Sequence, residues 1–123
     1  MKPIQGALLA ILILLLGLSA LSCKKKSNPV APGGGADVTI DIVADMGSGS
    51  FGSSPVTVNK GQTVAWRNTR GLTHTSTADG GAWNTGNIAP GATSAAIQMN
   101  TAGSFPYHCI FHTSMVATLV VNP

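Results

Sequence analysis

The segment YHCIFHTSM, Tyr107 to Met115, sets Cys109, His112 and Met115 at three-residue intervals in a chain with only three histidines and two cysteines. A thiolate, an imidazole and a thioether are soft or borderline metal donors, and the carboxylates that magnesium or calcium would demand are missing from this loop. On a straight strand Cys109 and His112 would lie roughly 10 Å apart and on opposite faces, so they meet one ion only if the chain bends directly after Cys109. A fourth donor must then come from elsewhere, and His74 and His108 are the imidazoles left. Alternation along Ser104 to Cys109 puts Phe105, Tyr107 and Cys109 on one face and His108 on the other. That points His108 outward, as a surface histidine, and leaves His74, which follows the loop RNTRGLT, to reach the ion from a neighbouring strand.

Two imidazoles and a thiolate in a plane, with a weak and distant thioether, are the donors of a one-electron copper site. Such a set suits both copper oxidation states because the ligands need move little between them. Zinc rarely takes methionine, so the zinc alternative uses Cys109, His112 and His74 with Met115 packed in the core. Cys109 with His112 as nucleophile and base lacks a third group to orient the base. A binuclear copper centre needs a second cysteine in the loop, and there is none.

The elements that must position these residues read as strands. In DVTIDIVADM the residues Val38, Ile40 and Ile42 alternate with Asp37, Thr39 and Asp41. Similar patterns predict strands over Val56 to Asn59, Thr63 to Asn68, His74 to Ala78, Thr93 to Met99, Ser104 to Cys109 and Met115 to Val121. Between them lie turn-forming segments such as NKG, DGG, APG and TAG, and no window carries a useful helical stripe. The expected fold is all-β, an antiparallel Greek-key sandwich with Val64, Trp66, Ile97, Met99, Phe105 and Tyr107 in its core. Met99 and Met46 are expected as a core and a strand-end residue, not ligands, and Trp83 as a neighbour of the site.

Residues 1–36 have a different character. Ile4 to Leu21 is an apolar run behind Lys2, ending in small residues beside Cys23, which is the form of an export signal. LSALSC resembles the lipobox of bacterial lipoproteins, whose cysteine becomes the lipid-bearing first residue of the mature chain. The expected organisation is a signal peptide over 1–22, a tether over 23–36 lipidated at Cys23, and a folded domain over 37–123. An uncleaved membrane anchor is the alternative, since Lys24, Lys25 and Lys26 on that side oppose translocation. The net charge of +3 belongs to this leader: from Asp37 onward three bases face four acids, a net charge of −1. That balance argues against nucleic acid, and the membrane is the partner expected for the lysines, at about 1 kcal/mol each on an anionic surface. With Cys23 lipidated, Cys109 would be a lone thiol in an oxidising compartment, at risk unless something occupies it.

The segments PVTVNKGQTVAWRNT, HTSTADGGAWNTGNIAPGATSAAIQM and NTAGSFPYHCIFHTSMVATLVV together resemble the small cupredoxins of the plastocyanin and amicyanin group. The likeness covers Asp37 to Asn122, and the spacing Cys-x2-His-x2-Met is that of amicyanin. Carried over by position, it implies one type 1 copper ion on His74, Cys109, His112 and Met115. It further implies an exported, monomeric electron carrier with no enzymatic activity, whose donor and acceptor dock near His112 among Leu72, Ile110 and Phe111. A cell-surface copper-delivery protein using the same ligands is the rival reading; the scatter of Met46 and Met99 weighs against it. Phe111 and Thr75 depart from the proline and asparagine common at these positions in the group. Asn68 or Thr75 is expected to take over the hydrogen bonding that the asparagine would supply. In some members the later histidine protonates and leaves the reduced metal. The same release is expected of His112, and copper(I) coordination that stays unchanged into mildly acidic solution would refute it.

Overall fold

The structure, a computed structural model, describes residues 35–123; the expected signal peptide, the expected lipidation site Cys23 and nearly all of the expected tether lie outside the described residues. Seven strands follow one another: β1 (Val38–Ile42), β2 (Val56–Asn59), β3 (Thr63–Asn68), β4 (Thr77–Ala78), β5 (Ile97–Gln98), β6 (Gly103–His108) and β7 (Val116–Asn122). They form two sheets, ordered β1-β3-β5 and β2-β7-β6-β4. Among the described residues no helix is long and apolar enough to cross a membrane.

The period-two pattern does what it predicts. Ile40 and Ile42 of β1, Val64 and Trp66 of β3, and Ala117, Leu119 and Val121 of β7 are all buried. An aromatic cluster fills the space between the sheets: Trp66 stacks on Trp83 at 5.5 Å between ring centroids, and Tyr107 meets Trp66 edge-on at 5.7 Å and Phe51 at 4.8 Å. Burial pushes the pKa of the Tyr107 hydroxyl up to about 12, so the phenol stays neutral. Met99 is buried in the core cluster, and Met46 is exposed.

Two expectations need correction. The sheets are mixed rather than antiparallel throughout: β1 runs parallel to β3, and β2 parallel to β7. Parallel neighbours need a crossover between them. Here β1 and β3 are separated in sequence by β2, which belongs to the opposite sheet. The strands expected over His74 to Ala78 and Thr93 to Met99 shrink to β4 and β5. Outside β4 and β5 these stretches keep one isolated bridge each, His74 with Ile88 and Thr93 with Arg67, and β4 and β5 are themselves edge strands of their sheets.

Sheet β1-β3-β5 is closed at one end by side chains. The Asp37 carboxylate accepts hydrogen bonds from the Thr63 amide at 2.7 Å and hydroxyl at 2.9 Å, which hold it below the usual carboxylate range. Directly across the β1–β3 register the Arg67 guanidinium grips both oxygens of Asp41 at 2.7 and 2.8 Å, with the same effect on that carboxyl. A depressed folded-state pKa contributes stability that is full above about pH 4 and is lost as pH falls through the folded value. Asp37→Asn should therefore flatten the acid limb of the stability profile while leaving its neutral shape intact. Denaturant unfolding at a series of acidic pH values checks this.

Candidate metal centre

Cys109 directly follows β6 and inherits its inward direction; the thiol is free and fully buried. After it the chain folds back, as the spacing requires. The Cys109 amide donates to the Met115 carbonyl at 3.1 Å and the Met115 amide to the His112 carbonyl at 2.9 Å, so residues 109–115 form a closed loop leading into β7. Met115 is buried at its end.

His74 arrives from the other side. Its backbone exchanges two hydrogen bonds with Ile88, at 3.2 and 2.8 Å, and its ring is completely buried. The loop before it is folded by Asn68, whose side-chain amide donates to the carbonyls of Leu72 at 2.7 Å and Ile88 at 2.9 Å and whose carbonyl oxygen accepts from the Arg70 amide at 2.9 Å. Both residues named from the sequence as possible supports thus act, Asn68 on the approach to His74 and Thr75 at the site itself.

Thr75 stitches the two ligand-bearing segments together. Its amide points at the Cys109 sulfur at 3.4 Å, and its hydroxyl accepts from the Ile110 amide at 3.0 Å. Trp83 lies close by, donating its indole N–H to Ser76 at 3.0 Å, one residue beyond Thr75.

The ligating atoms of His74, Cys109 and His112 all lie within 4.8 Å of one another. Both histidines present Nδ1 to the sulfur, His74 at 3.7 Å and His112 at 3.8 Å, with their rings 4.9 Å apart. With metal–sulfur and metal–nitrogen bonds of about 2.3 and 2.0–2.1 Å, a 120° angle separates the donors by roughly 3.8 Å and a tetrahedral angle by roughly 3.6 Å. The observed spacing sits nearer the planar value, and these residues fit a single soft metal ion. His108 is not part of the group: it faces outward and pairs with Asp79, as its strand position predicts.

Asp45 was not singled out by sequence reasoning. It comes from the segment joining β1 to β2, and its carboxylate meets His74 Nε2 at 2.9 Å while Arg70 reaches its other oxygen at 3.4 Å. The hydrogen bond from His74, then the charge of Arg70, hold this carboxyl below the ordinary range. No fixed spacing links Asp45 to a ligand, so the chain order carries no signal of it.

Thr75→Val should keep the shape of the side chain but strand the Ile110 amide, destabilising the metal-free protein by about 1–3 kcal/mol. Thr75→Ser, which keeps the acceptor, should restore most of the loss when both are compared by denaturant unfolding.

No family model matches the chain, and no curated protein matches it in sequence. Solved structures do. A copper(I) form of a methionine-to-alanine variant of amicyanin superposes with a TM-score of 0.59 at 21% identity, covering 69% of this chain and 81% of that one. A second such variant, also in the copper(I) form, gives 0.61 at 22% identity over 72% and 84%. A reduced proline-to-glycine variant gives 0.60 at 25% identity over 72% and 83%. At these identities the likeness establishes the fold, which is the cupredoxin β-sandwich.

Proposed function

We propose that this protein is a blue-copper electron carrier, exported and tethered to a membrane, that passes single electrons between redox proteins. The observation that carries the reading is the placement of two imidazole Nδ1 atoms at 3.7 and 3.8 Å from one buried cysteine sulfur. The residues that would hold the ion in this reading are His74, Cys109, His112 and Met115, the last a buried thioether at the end of the closed loop. A copper ion held there supplies one-electron redox chemistry in a site whose donors suit both oxidation states.

The chain's own residues do the rest. The bridge to Ile88 and the Thr75 hydrogen bonds hold the segments that carry His74 and Cys109, so these two donors would move little when the charge at the centre changes. Burial of His74, Cys109 and Met115 excludes water from three of the four donors. His112 alone is partly exposed, and the half-exposed Leu72, Ile110 and Phe111 lie on the two loops that carry the histidines. Redox partners would dock on that apolar surface, with His112 as the electron port. The amicyanin structures include copper(I) forms, in keeping with this reading. Among the described residues the methionines form no cluster beyond the site, since Met99 is core and Met46 stands alone at the surface, which favours electron transfer over copper delivery. The leader and lipobox resemblance support export and a lipid at Cys23.

Titrating the purified domain with copper(II) tests the proposal. One equivalent should produce an intense visible absorption band from the thiolate-bound cupric ion, and Cys109→Ser should abolish it. Copper at a hundredfold excess over its Kd should stabilise the fold by about 2.7 kcal/mol and raise Tm. A colourless copper(II) complex would overturn the assignment.

A further inference from the structure

We propose that Asp45 is a positioning residue of the metal centre, fixing His74 in the tautomer that offers Nδ1 to the metal and, with Arg70 as its counter-ion, setting how much electron density that imidazole donates. The inference rests on the copper reading above for its redox consequence, but its first half concerns the metal-free chain as well.

His74 is completely buried. Its ring has no access to water, so whichever nitrogen carries the proton must find a partner inside the protein. Asp45 Oδ1 stands 2.9 Å from Nε2. An ionised carboxylate only accepts, so the contact is a hydrogen bond only when Nε2 carries the proton. In the neutral ring Nδ1 then keeps its lone pair, and Nδ1 is the nitrogen that faces the Cys109 sulfur at 3.7 Å. The tautomer needed for ligation is therefore selected before any metal arrives.

An anion on the far nitrogen also makes the near one more basic, which favours the more highly charged state of a bound metal. Arg70 works against this. Its guanidinium takes the other carboxylate oxygen at 3.4 Å, so it draws charge away from the His74 contact. As a fold-stabilising ion pair this contact carries little weight, because the arginine is nearly half exposed. Its consequence lies at the metal. The same segment also reaches the second ligand loop: two residues after Asp45 the Gly47 amide donates to the Ser114 hydroxyl at 3.2 Å, beside Met115. One connection between β1 and β2 thus touches both halves of the centre.

The test uses copper-loaded Asp45→Asn, Asp45→Glu and Arg70→Gln proteins, with reduction potentials from redox titration and copper(II) and copper(I) affinities from chelator competition. Asp45→Asn should weaken copper(II) relative to copper(I) by about tenfold, which for one electron is a rise of about 59 mV. Asp45→Glu should stay close to the parent. Arg70→Gln, which changes only a surface side chain, should move the ratio the opposite way by a smaller factor. A purely structural role for Asp45 would not give opposite signs, so an unchanged ratio in Asp45→Asn, or both variants shifting in one direction, overturns the proposal. Nitrogen NMR of the metal-free parent supplies an arm independent of copper: a dominant Nε2-protonated His74 supports the inference, and a mixture of tautomers overturns it. If copper(II) gives no coloured complex, the copper reading fails, and the NMR arm still decides the role of Asp45.

Discussion

The centre depends on two stretches of chain, remote in sequence, meeting at one sulfur atom. Thr75 makes that meeting specific. Its amide faces the Cys109 sulfur and its hydroxyl holds the next amide along, so the segment carrying His74 and the loop carrying His112 cannot shift independently. The first contact is buried and the second partly so, and an unmade hydrogen bond is expensive where water is excluded. A ligand cage held by such contacts is preformed by the protein.

The sandwich beneath supplies the rigidity. Trp66, Trp83, Tyr107 and Phe51 interlock between the sheets, and Tyr107 lies two residues before Cys109 on the same face of the chain. Any displacement of β6 that moved the sulfur would also disturb this cluster. β7 secures the other end of the loop, since it pairs with β6 along its length from His108–Val116 to Gly103–Val121. The loop is therefore clamped at both ends by one antiparallel pair, and within it by two backbone hydrogen bonds.

The two histidines sit in contrasting surroundings. His74 is enclosed and backed by a charged chain running through Asp45 to Arg70 at the surface. His112 is partly open and flanked in sequence by Phe111, which is half exposed. One ring is thus backed by charge while the other faces an apolar surface, and in the copper reading proposed above that division would let the potential and the route to partners be set separately.

Residue types and local periodicity alone pointed to the grouping of Cys109, His112 and His74, the outward turn of His108, and the strands Val56–Asn59 and Thr63–Asn68 to the residue. This was possible because alternation and donor chemistry are properties of neighbouring residues. Strand direction is not: whether β1 runs with or against β3 depends on where β2 is placed, and only the folded chain decides that. The segments around His74 and Thr93 looked like strands because their side chains alternate, yet each forms only a single bridge next to a short edge strand. Asp45 was illegible for the same physical reason. A carboxylate 29 residues from His74 becomes its hydrogen-bond partner only when the β1–β2 connection is laid across the site, and that is a decision of tertiary packing.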